Sequence, residues 1–175
     1  MTTETLPFQE AIQIRMGISS CLLGQEVRYN GGHVRDELLL NTIGQHVQWF
    51  PVCPEIEVGM GVPRENIRLV GESENPRLIA PKSGTDYTQA MKKWSRSRLS
   101  GLKDSNLDGY ILKKDSPSCG PFRTKVYKGN GPASRTGRGL FAEELVKRFP
   151  MLPVEEEGRL RDPKLRENFI GRVFS

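Results

Sequence analysis

The chain is poor in the residues that build covalent scaffolds. Among 175 residues there are three cysteines, Cys21, Cys53 and Cys119, and two histidines. A cysteine set this sparse and odd-numbered argues against a disulfide framework, and no close C-x-x-C spacing exists. His33 and His46 show no metal-ligand spacing, and His46, at the end of a predicted helix, reads as structural. No run of about 18 apolar residues is present, which excludes a membrane-spanning helix. The opening MTTETLPFQE is polar and acidic. It lacks a basic stretch followed by an apolar one, so it does not read as a secretory signal, and the expected address is cytoplasmic. The Gly-rich stretch from Gly129 lacks the Gly-Lys-Ser/Thr end of a phosphate-binding loop, which argues against nucleotide hydrolysis.

The length fits one domain with at most a small appendage. Hydrophobic residues make up 36% of the chain, with 18 glycines besides, enough for a buried core. The net charge is +5. That is compatible with a nucleic-acid partner without demanding one.

Hydrophobic patterning alternates short apolar runs with helical spacings. Residues 14–20, 47–52, 67–70, 109–114 and 152–154 read as strands, and residues 36–47, 88–103 and 140–149 as helices. Asn30-Gly31-Gly32 is a turn signal. Asp162 and Pro163 open a last helix as N-cap and first helical residue. GNGPASRTGRG reads as a flexible loop, or as a backbone cradle for phosphate through its amides. Lys92, Lys93, Arg96 and Arg98 flank Trp94, a pattern met in RNA binding and more often in a solvated helix face with the Trp in the core. Strands alternating with helices predict an α/β architecture, a Rossmann-like three-layer fold with a mostly parallel sheet. In such folds ligands bind beyond the carboxyl ends of the strands.

All three cysteines fall at those ends. Cys21 and Cys53 directly follow predicted strands, and Cys119 lies five residues past another. Ser19 and Ser20 precede Cys21, Pro54 and Glu55 follow Cys53, and Cys119 sits in Ser116-Pro117-Ser118-Cys119-Gly120. Three thiolates are one short of a closed tetrahedral site, so a centre they hold keeps an open position. Three structural cysteines, or a catalytic thiol pair, are the alternatives that position leaves open.

The segments GISSCLLGQEVRYNGGH, FPVCPEIEVGMGVPRENIRLVG and LKKDSPSCG together resemble the thiouracil desulfidase (TudS-like) family, over about residues 15–149. The resemblance implies a desulfidase domain over residues 14–160. It also implies a 4Fe–4S cluster held by Cys21, Cys53 and Cys119, whose remaining iron takes the sulfur of a thiolated pyrimidine such as thiouracil or thiouridine. VPRENIRLVG and the C-terminal segment are most similar to longer, two-domain members that resemble enzymes proposed to remove sulfur from thiouridine in tRNA. Residues 1–13 then form a flexible arm. Residues 161–175 form a C-terminal helix, read either as docked on the core or as the connection to a second domain absent here, and tRNA binding is expected more with that additional domain.

Exchanging C=S for C=O requires a thiophilic Lewis acid, an activated water and management of ring charge. Glu55, two residues after Cys53, is the expected general base or water-positioning group, because a carboxylate beside a partly desolvated site has a raised pKa. Ser116 and Ser118 can bond substrate or cluster sulfur, or simply shape the turn around Pro117. Lys113 or Lys114 can offset negative charge; strand alternation expects one of them to point away, and Lys114 is the expected substrate contact. Arg28, Tyr29, Asn30 and Arg64 complete the expected substrate-binding set, with Tyr29 stacking on the pyrimidine. The alternative function is a non-catalytic metal-bound module, zinc or iron–sulfur, that recognises RNA.

Overall fold

The computed structural model describes residues 13–175. The arm expected over residues 1–13 therefore lies, except for Gln13, outside the described residues. The described chain runs β1 (Ile14–Ser19), α1 (Glu37–Thr42), β2 (Val47–Val52), α2 (Pro54–Glu57), β3 (Arg68–Val70), β4 (Arg77–Ile79), α3 (Thr88–Leu102), β5 (Gly109–Leu112), β6 (Thr124–Tyr127), β7 (Ser134–Gly137), α4 (Leu140–Arg148), β8 (Val154–Glu156) and α5 (Pro163–Val173). Among the described residues no helix is long and apolar enough to cross a membrane.

The main sheet has the order β2-β1-β5-β8, and every neighbouring pair is parallel. Side-chain alternation on its strands sorts the core into two layers. Ile14, Met16, Ile18 and Ile111 face one way and pack with Leu39 of α1 and Phe169 of α5. Tyr110 and Leu112 face the other way and pack with Leu99 and Leu102 of α3 and Phe141, Ala142 and Leu145 of α4. The result is the expected three-layer α/β arrangement, helices on both faces of a parallel sheet. The chain lays β2 on one side of β1 and later returns to lay β5 on the other. A crevice opens between the carboxyl ends of β1 and β5, the place where such sheets bind ligands.

Gly17 of β1 lies under the Tyr110 ring, and any Cβ there would overlap the ring carbons. Gly17→Ala should destabilise the protein by about 1–3 kcal/mol through overpacking. Urea unfolding checks this, and an unchanged midpoint would contradict the close approach.

A second sheet, order β4-β3-β6-β7, was not legible beyond β3. Its strands are short, and three of the four residues of β7 are exposed, so the stretch expected as a loop looks polar and Gly-rich. Pairing is supplied by Leu69, Leu78 and Val126, which form their own apolar cluster with Met91 and Leu140. Several boundaries also move. β1 ends at Ser19 because residues 20–23 tighten into a 3-10 turn closed by Gly24 at φ +92°. α1 stops at Thr42, with Asp36 accepting the Leu39 N–H as N-cap. β5 stops at Leu112. β8 falls two residues later than expected, on Val154–Glu156, where a run of glutamates masks a strand whose Glu155 is buried. Pro54 ends β2 as expected, and it also opens the unforeseen α2.

Candidate functional site

A cavity of 470 Å³ sits at the carboxyl ends of β1, β2 and β5. Ser19, Val52 and Lys113 mark those ends, and Cys21, Cys53 and Cys119 all line it. The strand β1 pairs with both flanking strands, so its register brings residues far apart in sequence to one rim.

Each thiol is aimed by a different local device. Cys21 lies in the 3-10 turn Ser20–Leu23, and its carbonyl accepts the N–H groups of Gly24 (3.2 Å) and Val34 (3.1 Å). Cys53 is the N-cap residue of α2, and its carbonyl accepts the Glu57 N–H at 3.0 Å. Cys119 lies in a turn whose N–H groups are collected by Ser116: Oγ accepts from Ser118 (3.2 Å) and Cys119 (3.0 Å), and the carbonyl accepts from Gly120 (2.7 Å). That turn is locked onto α4. The helix begins at Gly139 with no side-chain cap, and its free N–H groups are instead satisfied by the carbonyls of Pro117 (3.1 Å to Leu140) and Ser118 (2.9 Å to Phe141). Gly139 is required for this contact, since a Cβ would overlap the Ser118 backbone.

The thiols share one electrostatic environment. The Cys53 thiol donates to Glu55 Oε2 at 3.6 Å, and the Glu55 carboxylate also acts on Cys21 and Cys119. Burial, reinforced by Glu55, pushes Cys53 up to about 12. Burial pushes Cys21 up to about 11 against the favourable charge of Lys113. Cys119, 4% exposed, is raised well above the ordinary thiol range by burial, with Ser19 in hydrogen-bond reach. Coordination to a metal deprotonates such groups outright. Among the described residues no three His, Cys, Asp or Glu groups stand close enough together for a single ion. Three soft thiol donors lining one cavity fit a cluster held by cysteine thiolates.

The other expected residues divide. Glu55, Arg28, Tyr29, Arg64, Lys114 and Ser116 all line the cavity. Arg64 is a clamp: its guanidinium donates to the carbonyls of Val27 (2.8 Å) and Gly61 (2.9 Å), and its N–H to that of Tyr29 (2.9 Å). Arg28 lies 5.8 Å from the ring centroid of Tyr29, which is 38% exposed at the rim. Asn30 does not line the cavity; its Oδ1 accepts the Gly32 N–H at 2.9 Å and shapes an exposed turn. Ser118 does not line it either. Its side chain is fully buried, and its Oγ has no partner.

Both Lys113 and Lys114 line the cavity. The alternation that should have turned one away does not apply, because β5 ends at Leu112. Lys113 is anchored, its Nζ 2.8 Å from Glu157 and its N–H on Ser19 Oγ at 3.0 Å. Glu157 also accepts the Lys114 N–H at 2.8 Å. Sequence reasoning missed Ser19 and Glu157 as site-building groups; Ser19 was already visible as a hydroxyl at a strand's carboxyl end. The basic stretch around Trp94 resolves as a packed helix face, with Trp94 5.5 Å from Phe141, and Arg96 and Arg98 paired with Glu144 and Glu57.

Residues 16–157 match the family model described as 2-thiouracil desulfurase. The chain is 33% identical over 131 residues to the uncharacterized protein YbbK of Bacillus subtilis (strain 168), covering 71% of this chain and 85% of that one. Its fold superposes on the solved 4Fe–4S-dependent thiouracil desulfidase TudS with a TM-score of 0.64 and 28% identity, over 89% of this chain and 97% of that chain.

Proposed function

The chain belongs to the 2-thiouracil desulfurase family, and we propose that it replaces sulfur by oxygen in thiolated uracil or thiouridine with a 4Fe–4S cluster held by Cys21, Cys53 and Cys119. The observation that carries this reading is that three thiols, one buried and two partly buried, from three separate strand ends line one cavity that also holds carboxylates and lysines. When bound, the cluster supplies a thiophilic iron with an open position, which draws electron density from the C–S bond.

The chain's own groups perform the remaining work. Glu55 Oε2 lies 3.6 Å from the Cys53 sulfur, beside the proposed ligands, where a carboxylate can accept a proton from water. Water then adds to the thiocarbonyl carbon and C–S cleavage follows, so that the thiocarbonyl and water give the carbonyl and hydrogen sulfide. Glu55 takes the water's proton and returns it to the leaving sulfur. The ammonium of Lys114, which has no ion-pair partner among the described residues, can neutralise charge on the pyrimidine. Lys113 is held back by Glu157. Ser116, having accepted two N–H groups, retains its own hydroxyl hydrogen for a substrate oxygen or sulfur. Arg64 fixes the rim on which Arg28 and Tyr29 meet the ring.

Anaerobic purification should give coloured protein with about four iron atoms and matching sulfide per chain. Incubation with 2-thiouracil should abolish its thiocarbonyl absorbance and release sulfide. Parallel arms with 4-thiouridine and thiolated tRNA rank base, nucleoside and polymer as substrates. A colourless zinc protein that binds RNA without turnover would overturn the reading.

A further inference from the structure

Lys113 and Lys114 both line the cavity, yet the fold treats them differently. The buried carboxylate of Glu157, 7% exposed, holds Lys113 Nζ on one oxygen at 2.8 Å. Its other oxygen accepts the Lys114 N–H at 2.8 Å. Lys113 Nζ in turn donates to the Lys114 carbonyl at 3.0 Å. Lys114 is thus gripped at its N–H and at its C=O, and both grips lead to one carboxylate. It lies past the end of β5 at Leu112, where the strand ladder no longer fixes the backbone. A buried carboxylate needs a counter-charge, and Lys113 supplies it. The Lys114 ammonium keeps its own charge uncommitted. The residue after Glu157 adds a second constraint. A Cβ at Gly158 would stand 2.8 Å from Lys114 Cδ and 3.5 Å from Cε and Nζ, so the lysine stem lies across the glycine. Gly158 has φ −64° and ψ −42°, a right-handed helical conformation open to any residue. Its backbone does not call for glycine; the space taken by Lys114 does.

We propose that Glu157 and Gly158 form a cradle that positions Lys114 to meet the pyrimidine in the cavity. Glu157 fixes the lysine's backbone, directly and through Lys113, and Gly158 sets the path of its stem. Both are positioning residues that act through Lys114. The inference rests on the reading that Lys114 contacts the ring, and it adds two residues that determine that contact.

The sharpest test is Gly158→Ala in the cluster-loaded protein, because the added methyl meets only the end of a flexible side chain. Its urea midpoint and iron content should match the wild type, while kcat/KM for 2-thiouracil falls about tenfold, a usual size for coupling between residues in contact. Placed on Lys114→Ala, which removes the stem, the same substitution should cost nothing further, and a full loss in that background overturns the cradle. Glu157→Gln should show the same dependence on Lys114; should it fail to fold, Gly158→Ala decides alone. Amine labelling gives a readout independent of turnover. Uracil should slow the acetylation of wild-type Lys114 by acetic anhydride, followed by mass spectrometry, and Gly158→Ala should lose that protection. Wild-type kcat/KM in Gly158→Ala, or protection kept at wild-type strength, overturns the proposal and leaves the desulfidase reading standing. Uracil that leaves wild-type Lys114 equally reactive removes the ring contact, and the cradle with it. A wild type without iron and without sulfide release overturns the desulfidase reading and this proposal together.

Discussion

Alanine at any one of Cys21, Cys53 or Cys119 should yield colourless protein with no stoichiometric iron and no sulfide release from 2-thiouracil above the buffer rate. The expected loss is complete, because the three thiols are the full set of soft donors at the cavity. Removing one leaves two, and the neighbouring side chains offer no substitute: the nearest carboxylate, Glu55, is a hard ligand better suited to other metals. The fold itself should survive. Cys21 and Cys53 are only partly buried, and Cys119 contributes one small side chain to a cluster dominated by Tyr110, Phe141 and the leucines. Far-UV circular dichroism and urea unfolding of the stripped variants check the fold, and iron analysis with the sulfide assay checks the chemistry. A variant that retains wild-type iron and rate removes that thiol from the ligand set.

Glu55→Gln separates holding the cofactor from using it. The amide keeps the shape of the carboxylate and can still accept a hydrogen bond, but it cannot take a proton. Turnover should fall by about 10²–10⁴-fold, the usual contribution of a positioned general base. Iron content and the visible spectrum should stay at wild-type values, since Glu55 is not among the proposed ligands. Steady-state kinetics beside iron analysis distinguishes the two readouts. Undiminished turnover would leave Glu55 as a neighbour of Cys53 and nothing more. Cluster loss would make it part of the scaffold.

Much of this site was legible because its parts obey local rules. A cysteine directly after an apolar strand is placed at the sheet's carboxyl edge by geometry alone, and Cys53 behaves in that way. Cys21 sits inside the 3-10 turn that follows β1, still at that edge. Glu55 was found through its spacing from Cys53. The rule failed where tertiary pairing overrides composition. β7 is polar and exposed, and it becomes a strand only because Val126 and Leu69 hold its neighbours. Asn30 and Ser118 carry suitable chemistry, but their direction depends on turns that sequence does not resolve: one faces solvent and one faces the interior. Glu157 lies in a run of glutamates with no apolar signal, yet both its oxygens are engaged with the two lysines across the sheet's edge.

The three thiols come together only after β1 has paired with β2 on one flank and with β5, more than ninety positions later in register, on the other. Donors scattered in that way cannot template collapse as the close-set ligands of a zinc finger do, where metal capture and folding are one event. The scaffold has to close first, through long-range parallel pairing of the kind that forms slowly, and the inorganic guest enters a finished chamber.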